Sequence, residues 1–181
     1  MRTKEAVNAA LKIVGAAGLD TTVVAAPNAL QGFGILLKKS PVPKADYEKV
    51  LNELRRQELV IISRDEDGMS YGLTPAGAHR LQQVIIDELE VKVPAKWDKK
   101  WRLVTFDIPV RHSKQRAAFT HRLQSMGFMM LQKSIWVHPA PCFETIEQLA
   151  GHYNLLRYCS FAELSKVDDL SARRLKRHFT L

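Results

Sequence analysis

The sequence predicts an α+β chain built in two parts, and three observations predict it. Along residues 4–89 the apolar period switches from helical to alternating and back. A second run of strands and helices begins at Trp101. The charge divides sharply between the two stretches. Among 181 residues there are 27 Lys and Arg against 19 Asp and Glu, a net charge of +8 with a pI near 9.6. Residues 1–93 hold 12 bases and 12 acids; residues 94–181 hold 15 and 7, so the entire excess lies in the second part. The expected domains are therefore 1–93 and 94–181, divided within the stretch 90–100, where Pro94 breaks regular structure and charge accumulates. An apolar content of 46% with 25% charged residues excludes a disordered or collagen-like chain. The basic excess makes a polyanion, nucleic acid above all, the first partner to test.

Cys142 and Cys159 are too few for a disulfide framework and read as two reduced thiols. The N-terminus has no clean apolar segment followed by a cleavage site. The uncharged stretch 21–37 contains Pro27, Asn28, Gln31 and two glycines, and falls short of the roughly 18 mainly apolar residues that a spanning helix needs. The reading is of a soluble cytoplasmic protein with no membrane partner.

In the first part, Ala6, Ala9, Ala10, Ile13 and Val14 fall at helical spacing over 4–16, with Gly18 as a stop. A turn-rich gap and a weaker helix over 27–39 follow; its glycines lower its helix propensity. Tyr47, Val50, Leu51 and Leu54 then mark one face of a helix over 44–57, and Lys44, Lys49, Asn52, Arg55 and Arg56 lie away from it. Residues 59–64 and 69–74 read as strands around the acidic turn Asp65-Glu-Asp-Gly68. Thr74 and Pro75 make an N-cap and first helical position for a helix to about Leu89, with Ala78, Leu81, Val84, Ile85 and Leu89 inward. Three helices, a two-stranded wing and a further helix are the order of a winged helix-turn-helix. Such a module would lay the 44–57 helix in the major groove of double-stranded DNA. Glu48 and Glu53 on the same helix fit a merely solvated face equally well, and the acidic turn would repel phosphates.

In the second part, residues 101–108 read as a strand with Leu103, Thr105 and Asp107 on one face. A helix over 113–126 turns Phe119, Leu123 and Met126 inward and stops at Gly127. The extended stretch 128–138 reads as a strand that bends or bulges. A short helix with Phe143, Ile146 and Leu149, a closing strand over 155–161 and a last helix over 168–178 follow. Strands alternating with helices around a small sheet suggest a ferredoxin-like (βαββαβ) sandwich.

Two runs carry a resemblance. Trp97-Asp-x-x-Trp-Arg-Leu-Val-x-Phe-Asp107-Ile-Pro and Leu123-x-x-Met-Gly-Phe-x-x-Leu-Gln-x-Ser134-Ile-Trp-Val resemble the central domain of the phenylacetic-acid-operon repressor family, the PaaX type. That domain is in turn similar to the small CRISPR-associated adaptation endonucleases. The resemblance covers about residues 97–163, and a winged helix-turn-helix ahead of it fits the repressors, because the stand-alone nucleases lack one. It implies a homodimer acting as a transcriptional repressor with no required cofactor. For the nuclease relatives it implies instead an Asp from each subunit holding a divalent metal, and Asp107 alone matches that position. The alternative is thus a Mg²⁺-dependent endonuclease or adaptation subunit using Asp107 paired across a dimer. A lone carboxylate is a poor Mg²⁺ site, and Asp107 also suits a cap for the helix beginning near Arg111. A dimeric scaffold with incidental basicity is a third reading.

Arg111, Lys114, Arg116 and Arg122, with His112 and His121, lie on or beside the 113–126 helix, and no acid occurs between Val110 and Cys142. Phosphate contact is the functional reading and a solvated face the plain one. The cluster at 173–177 is explained by the helix dipole. His138 and Cys142 lack a second pair of ligands for zinc. Trp97, Trp101 and Trp136 read as packing residues.

Overall fold

The computed structural model describes residues 2–16 and 22–181. It is a mixed α and β structure that divides into two compact units, Met1–Asp87 and Glu88–Leu181. No helix among the described residues is long and apolar enough to cross a membrane.

In the first unit α1 (Thr3–Ala16) buries Ala6, Val7, Ala10, Leu11 and Val14. Val7 and Leu11 thus centre the face, and Ala9 and Ile13 sit half-buried at its margin. The expected stop at Gly18 lies outside the described residues. β1 (Thr22–Val24) lies in the gap that the sequence left without structure. Three residues are too short to show an alternating period. α2 (Ala29–Leu36) is capped by Asn28, whose side-chain oxygen accepts from the Gln31 N–H at 2.9 Å. A 3₁₀ turn at Lys44–Asp46 leads into α3 (Tyr47–Arg56), which buries Val50, Leu51 and Leu54.

β2 (Val60–Asp65) and β3 (Gly68–Leu73) form an antiparallel hairpin in which Asp65 faces Gly68, leaving Glu66 and Asp67 as a two-residue turn. Gly68 at φ +136° closes it, a conformation that suits glycine. β1 pairs with the other side of β3, so the order is β1-β3-β2. The Thr74 hydroxyl donates to the Glu58 carbonyl at 2.6 Å and accepts from the Gly77 N–H at 2.9 Å, capping α4 (Pro75–Asp87) and tying it to the start of the hairpin. α4 buries Gly77, Val84 and Ile86. Ile85, expected inward, is 46% exposed, and Leu89 lies beyond the helix end. Ile86 is buried in place of Ile85.

In the second unit β4 (Trp101–Phe106), α5 (Ser113–Ser125), β5 (Met129–Gln132), β6 (Ile135–His138), α6 (Phe143–His152), β7 (Cys159–Leu164) and α7 (Asp169–Phe179) follow in order. The four strands make one antiparallel sheet ordered β5-β6-β4-β7. The stretch 128–138 is therefore a hairpin, not one bending strand. It turns at Lys133 and Ser134 and carries a register shift between Met130 and Gln132. Continuous apolar content hid the turn, which has neither Gly nor Asn. The closing strand begins four residues later than expected, because Leu156–Tyr158 form a 3₁₀ turn first. Phe106 packs edge-on against Phe119 of α5 at 5.6 Å. Leu175 and Phe179 of α7 pack with Trp101 and Val137. Asp168 caps α7 by accepting from the Ser171 N–H at 2.9 Å.

Candidate nucleic-acid interface

α3 is positioned by its buried side, so its outward residues follow from the helical period. Lys44, Lys49, Asn52, Arg55 and Arg56 are all exposed. They are not equivalent. Arg56 is committed to Glu53 by two hydrogen bonds, Nε to Oε2 at 2.9 Å and Nη2 to Oε1 at 2.6 Å. With a further bond from Gln57, these draw the Glu53 carboxyl down to about 2. Among the described residues Lys44, Lys49 and Arg55 make no ion pair and keep their charge for a ligand. Lys44 stands in the 3₁₀ turn before the helix, and Lys49, Asn52 and Arg56 border a shallow depression on its surface.

In the second unit the basic residues fall into separate roles. Arg122 is a fold residue: its guanidinium donates to Ser125 Oγ at 2.9 Å and to the Leu89 carbonyl at 3.0 Å. Arg116 lies 5.9 Å over the Phe106 ring, half-buried. Lys114 and His121 are exposed on α5. Arg111 stands in the 3₁₀ turn Val110–His112, and its Nη2 donates to the Tyr158 hydroxyl at 3.2 Å. Arg157, which the sequence reading passed over, lies 5.0 Å over the same Tyr158 ring.

Asp107 is exposed just beyond β4, and its N–H donates to the Tyr158 carbonyl at 3.0 Å. It caps neither following element, since Pro109 precedes the 3₁₀ turn and His112 precedes α5. Among the described residues no group of three or more His, Cys, Asp or Glu is arranged to hold a metal. One carboxylate by itself does not fit Mg²⁺ within a single chain. His138 and Cys142 serve the fold: the imidazole Nδ1 accepts from the Ala140 N–H at 3.0 Å, and burial lowers the ring to about 4. Burial likewise pushes the Cys142 thiol up to about 12.

The most heavily bonded charge in the unit was not foreseen. Arg102, 4% exposed, pairs with Asp98 through both Nη atoms, with Glu163 at 3.1 Å, and with the Pro139 carbonyl at 3.0 Å. A cleft of about 490 Å³ beside it is lined also by Glu90, Lys92 and Glu144. Arg102 is saturated there and has little left to offer a ligand. Nothing in the one-dimensional pattern distinguishes this strand arginine from a solvated one.

Comparison with known proteins bears on the second unit. No curated protein matches the chain. A solved structure of an uncharacterized protein from Mycobacterium tuberculosis aligns over 94% of this chain and 65% of its own, at 14% identity and a TM-score of 0.38. The chain thus spans just under two thirds of that protein's length. Residues 94–175 match the family described as PaaX protein central Cas2-like domain, a match that contains both sequence runs around Asp107 and Ser134. Over those residues the second unit of this chain is similar to the PaaX central Cas2-like domain.

Proposed function

We propose that the chain is a dimeric, PaaX-like transcriptional repressor that binds double-stranded DNA. In this reading the first unit is a winged helix-turn-helix and the second a ferredoxin-like dimerisation domain. The single observation that carries it is α3: a helix anchored by Val50, Leu51 and Leu54, presenting unpaired Lys49 and Arg55 with Asn52 between them. Lysine and arginine supply phosphate contacts, and asparagine and arginine are the side chains suited to base edges. The hairpin β2–β3 after it supplies the wing. The turn residues Glu66 and Asp67 keep that wing off the minor groove, so α3 is the reader. Counted within the unit, the second sheet runs 2-3-1-4 with two helices in the crossovers, an order that supports the ferredoxin-like reading.

The test is a selection from random duplexes at fixed salt. A dimeric regulator enriches a palindrome, and Lys49→Ala with Arg55→Ala lowers affinity while reducing the salt slope by about 1.8, or 0.9 per phosphate contact. Enrichment of nothing, or a slope unchanged by the double variant, sinks the assignment. The nuclease alternative needs Asp107 doubled across a two-fold axis. Metal-dependent DNA or RNA degradation, abolished by Asp107→Ala, would replace the repressor reading with it.

A further inference from the structure

Two short turns at one end of the second sheet share a pattern. β4 and β7 are antiparallel neighbours with Phe106 opposite Cys159, so the end of one and the start of the other lie side by side. Each is flanked there by a 3₁₀ turn, Val110-Arg111-His112 after β4 and Leu156-Arg157-Tyr158 before β7. Both read apolar, arginine, aromatic. The Asp107 N–H to Tyr158 carbonyl bond ties the chain just beyond β4 to the second turn.

This arrangement draws two guanidinium groups onto one phenol. Arg111 Nη2 reaches the Tyr158 hydroxyl at 3.2 Å, and Arg157 lies over the ring at 5.0 Å. His112 completes the cluster, with its Nε2 3.4 Å from the hydroxyl and its ring centroid 5.5 Å from that of Tyr158. Among the described residues neither arginine makes an ion pair. Like charges held together on a neutral ring repel one another, and an anion bridging them removes that cost. The hydrogen bond from Arg111, with Arg157 beside it, already draws the Tyr158 hydroxyl below its ordinary pKa, the mark of a positive local field. Val110, 89% exposed, and Leu156, 47% exposed, precede the two arginines and offer apolar contact of the kind a sugar face accepts.

We propose that the paired turns are a backbone-phosphate contact for duplex DNA, in which Arg111 and Arg157 grip phosphate oxygens against Tyr158. The site rests on the DNA-binding reading and adds to it a sequence-indifferent contact outside the first unit. Of its members Arg111 and His112 stood out in the sequence; Arg157 and Tyr158 did not. Asp107 is the one acid between residues 99 and 143, and its backbone N–H is bonded to the Tyr158 carbonyl.

The test measures binding of the full chain to non-operator duplexes across a salt series. Arg111→Ala with Arg157→Ala should reduce the salt slope by about 1.8 and the affinity at 0.1 M salt by up to about 60-fold, equally for every duplex. Arg111→Lys with Arg157→Lys should restore most of the slope, which separates lost charge from lost fold. An unchanged slope in the alanine pair, while Lys49→Ala with Arg55→Ala still reduces it, overturns the site and leaves the repressor reading standing. Salt-insensitive or absent binding by the wild type overturns both. Competition by inorganic phosphate at matched ionic strength, lost in the alanine pair whose duplex slope is unaltered, assigns the turns to free phosphate and overturns the backbone contact.

Discussion

Replacing Gly77 by alanine sets two physical effects against each other with opposite signs. Gly77 lies in the first turn of α4, where helix propensity alone favours alanine by about 1 kcal/mol. A Cβ there would stand 1.9 Å from the Leu59 carbonyl oxygen and 2.9 Å from its carbon. Both are backbone atoms at the start of the hairpin and cannot rotate away. That carbonyl also accepts from the Thr74 N–H at 3.2 Å, so moving it disturbs the cap as well. Overpacking of this kind costs about 1–3 kcal/mol, and a clash with fixed backbone belongs at the upper end. The expected net loss is about 2 kcal/mol, which lowers the melting temperature of the first unit by roughly 8–16 °C. Gly34→Ala is the control within the same unit, because its Cβ meets only the Tyr47 ring at an ordinary 3.4 Å. It should leave the melting temperature unchanged or raised. Thermal unfolding by circular dichroism reads both variants. A Gly77→Ala protein as stable as the wild type would refute the reasoning, since the close seating of α4 would then not constrain the unit.

Other outcomes follow from single groups. Thr74→Ala, removing a cap and a tertiary bond together, should cost about 1–2 kcal/mol in urea titration. His138 is held neutral, its folded pKa of about 4 lying below the ordinary 6.5, so the unfolded chain binds more protons between those values. Stability of the second unit should accordingly fall as pH drops from 6.5 towards 4, and His138→Phe should flatten that part of the profile. The Asp98 carboxyl, held near 2 chiefly by Arg102, contributes stability that is full above its ordinary range and lost as pH falls through about 2. Asp98→Asn should remove that lowest-pH component. Burial raises the Cys142 and Cys159 thiols to about 12 and about 11, so neither should react with a thiol reagent at neutral pH until the protein is unfolded. Prompt labelling of the native protein would contradict the burial of Cys142 and the half-buried place of Cys159.

Long amphipathic helices were legible because burial repeats along them: Val50, Leu51 and Leu54 name the inner side of α3, and the outward side follows. Capping chemistry was equally legible at Thr74-Pro75. The signals failed where a turn lacks its usual residues, as at Lys133-Ser134, and where a strand is as short as β1. They also failed for relations made by sheet pairing. Arg102 and Glu163 face each other across β4 and β7, 61 residues apart in the chain. Arg111 reaches Tyr158, beside Arg157, for the same reason. Charge counting located the basic part of the chain but could not sort Arg122, engaged with Leu89, from Arg111. The sorting depends on partners that only the folded backbone brings near.

The register shift in β5 has a consequence for self-association. β5 is an outer strand of the second sheet, and a regular outer strand is a template on which another chain can add. A bulge between Met130 and Gln132 breaks the even spacing of its backbone donors and acceptors, so an incoming strand finds no continuous ladder. This border of the sheet is blunted against indefinite, fibre-like growth. In the dimer proposed above, two copies would then meet through other surfaces of the second unit, where they can close on each other and stop.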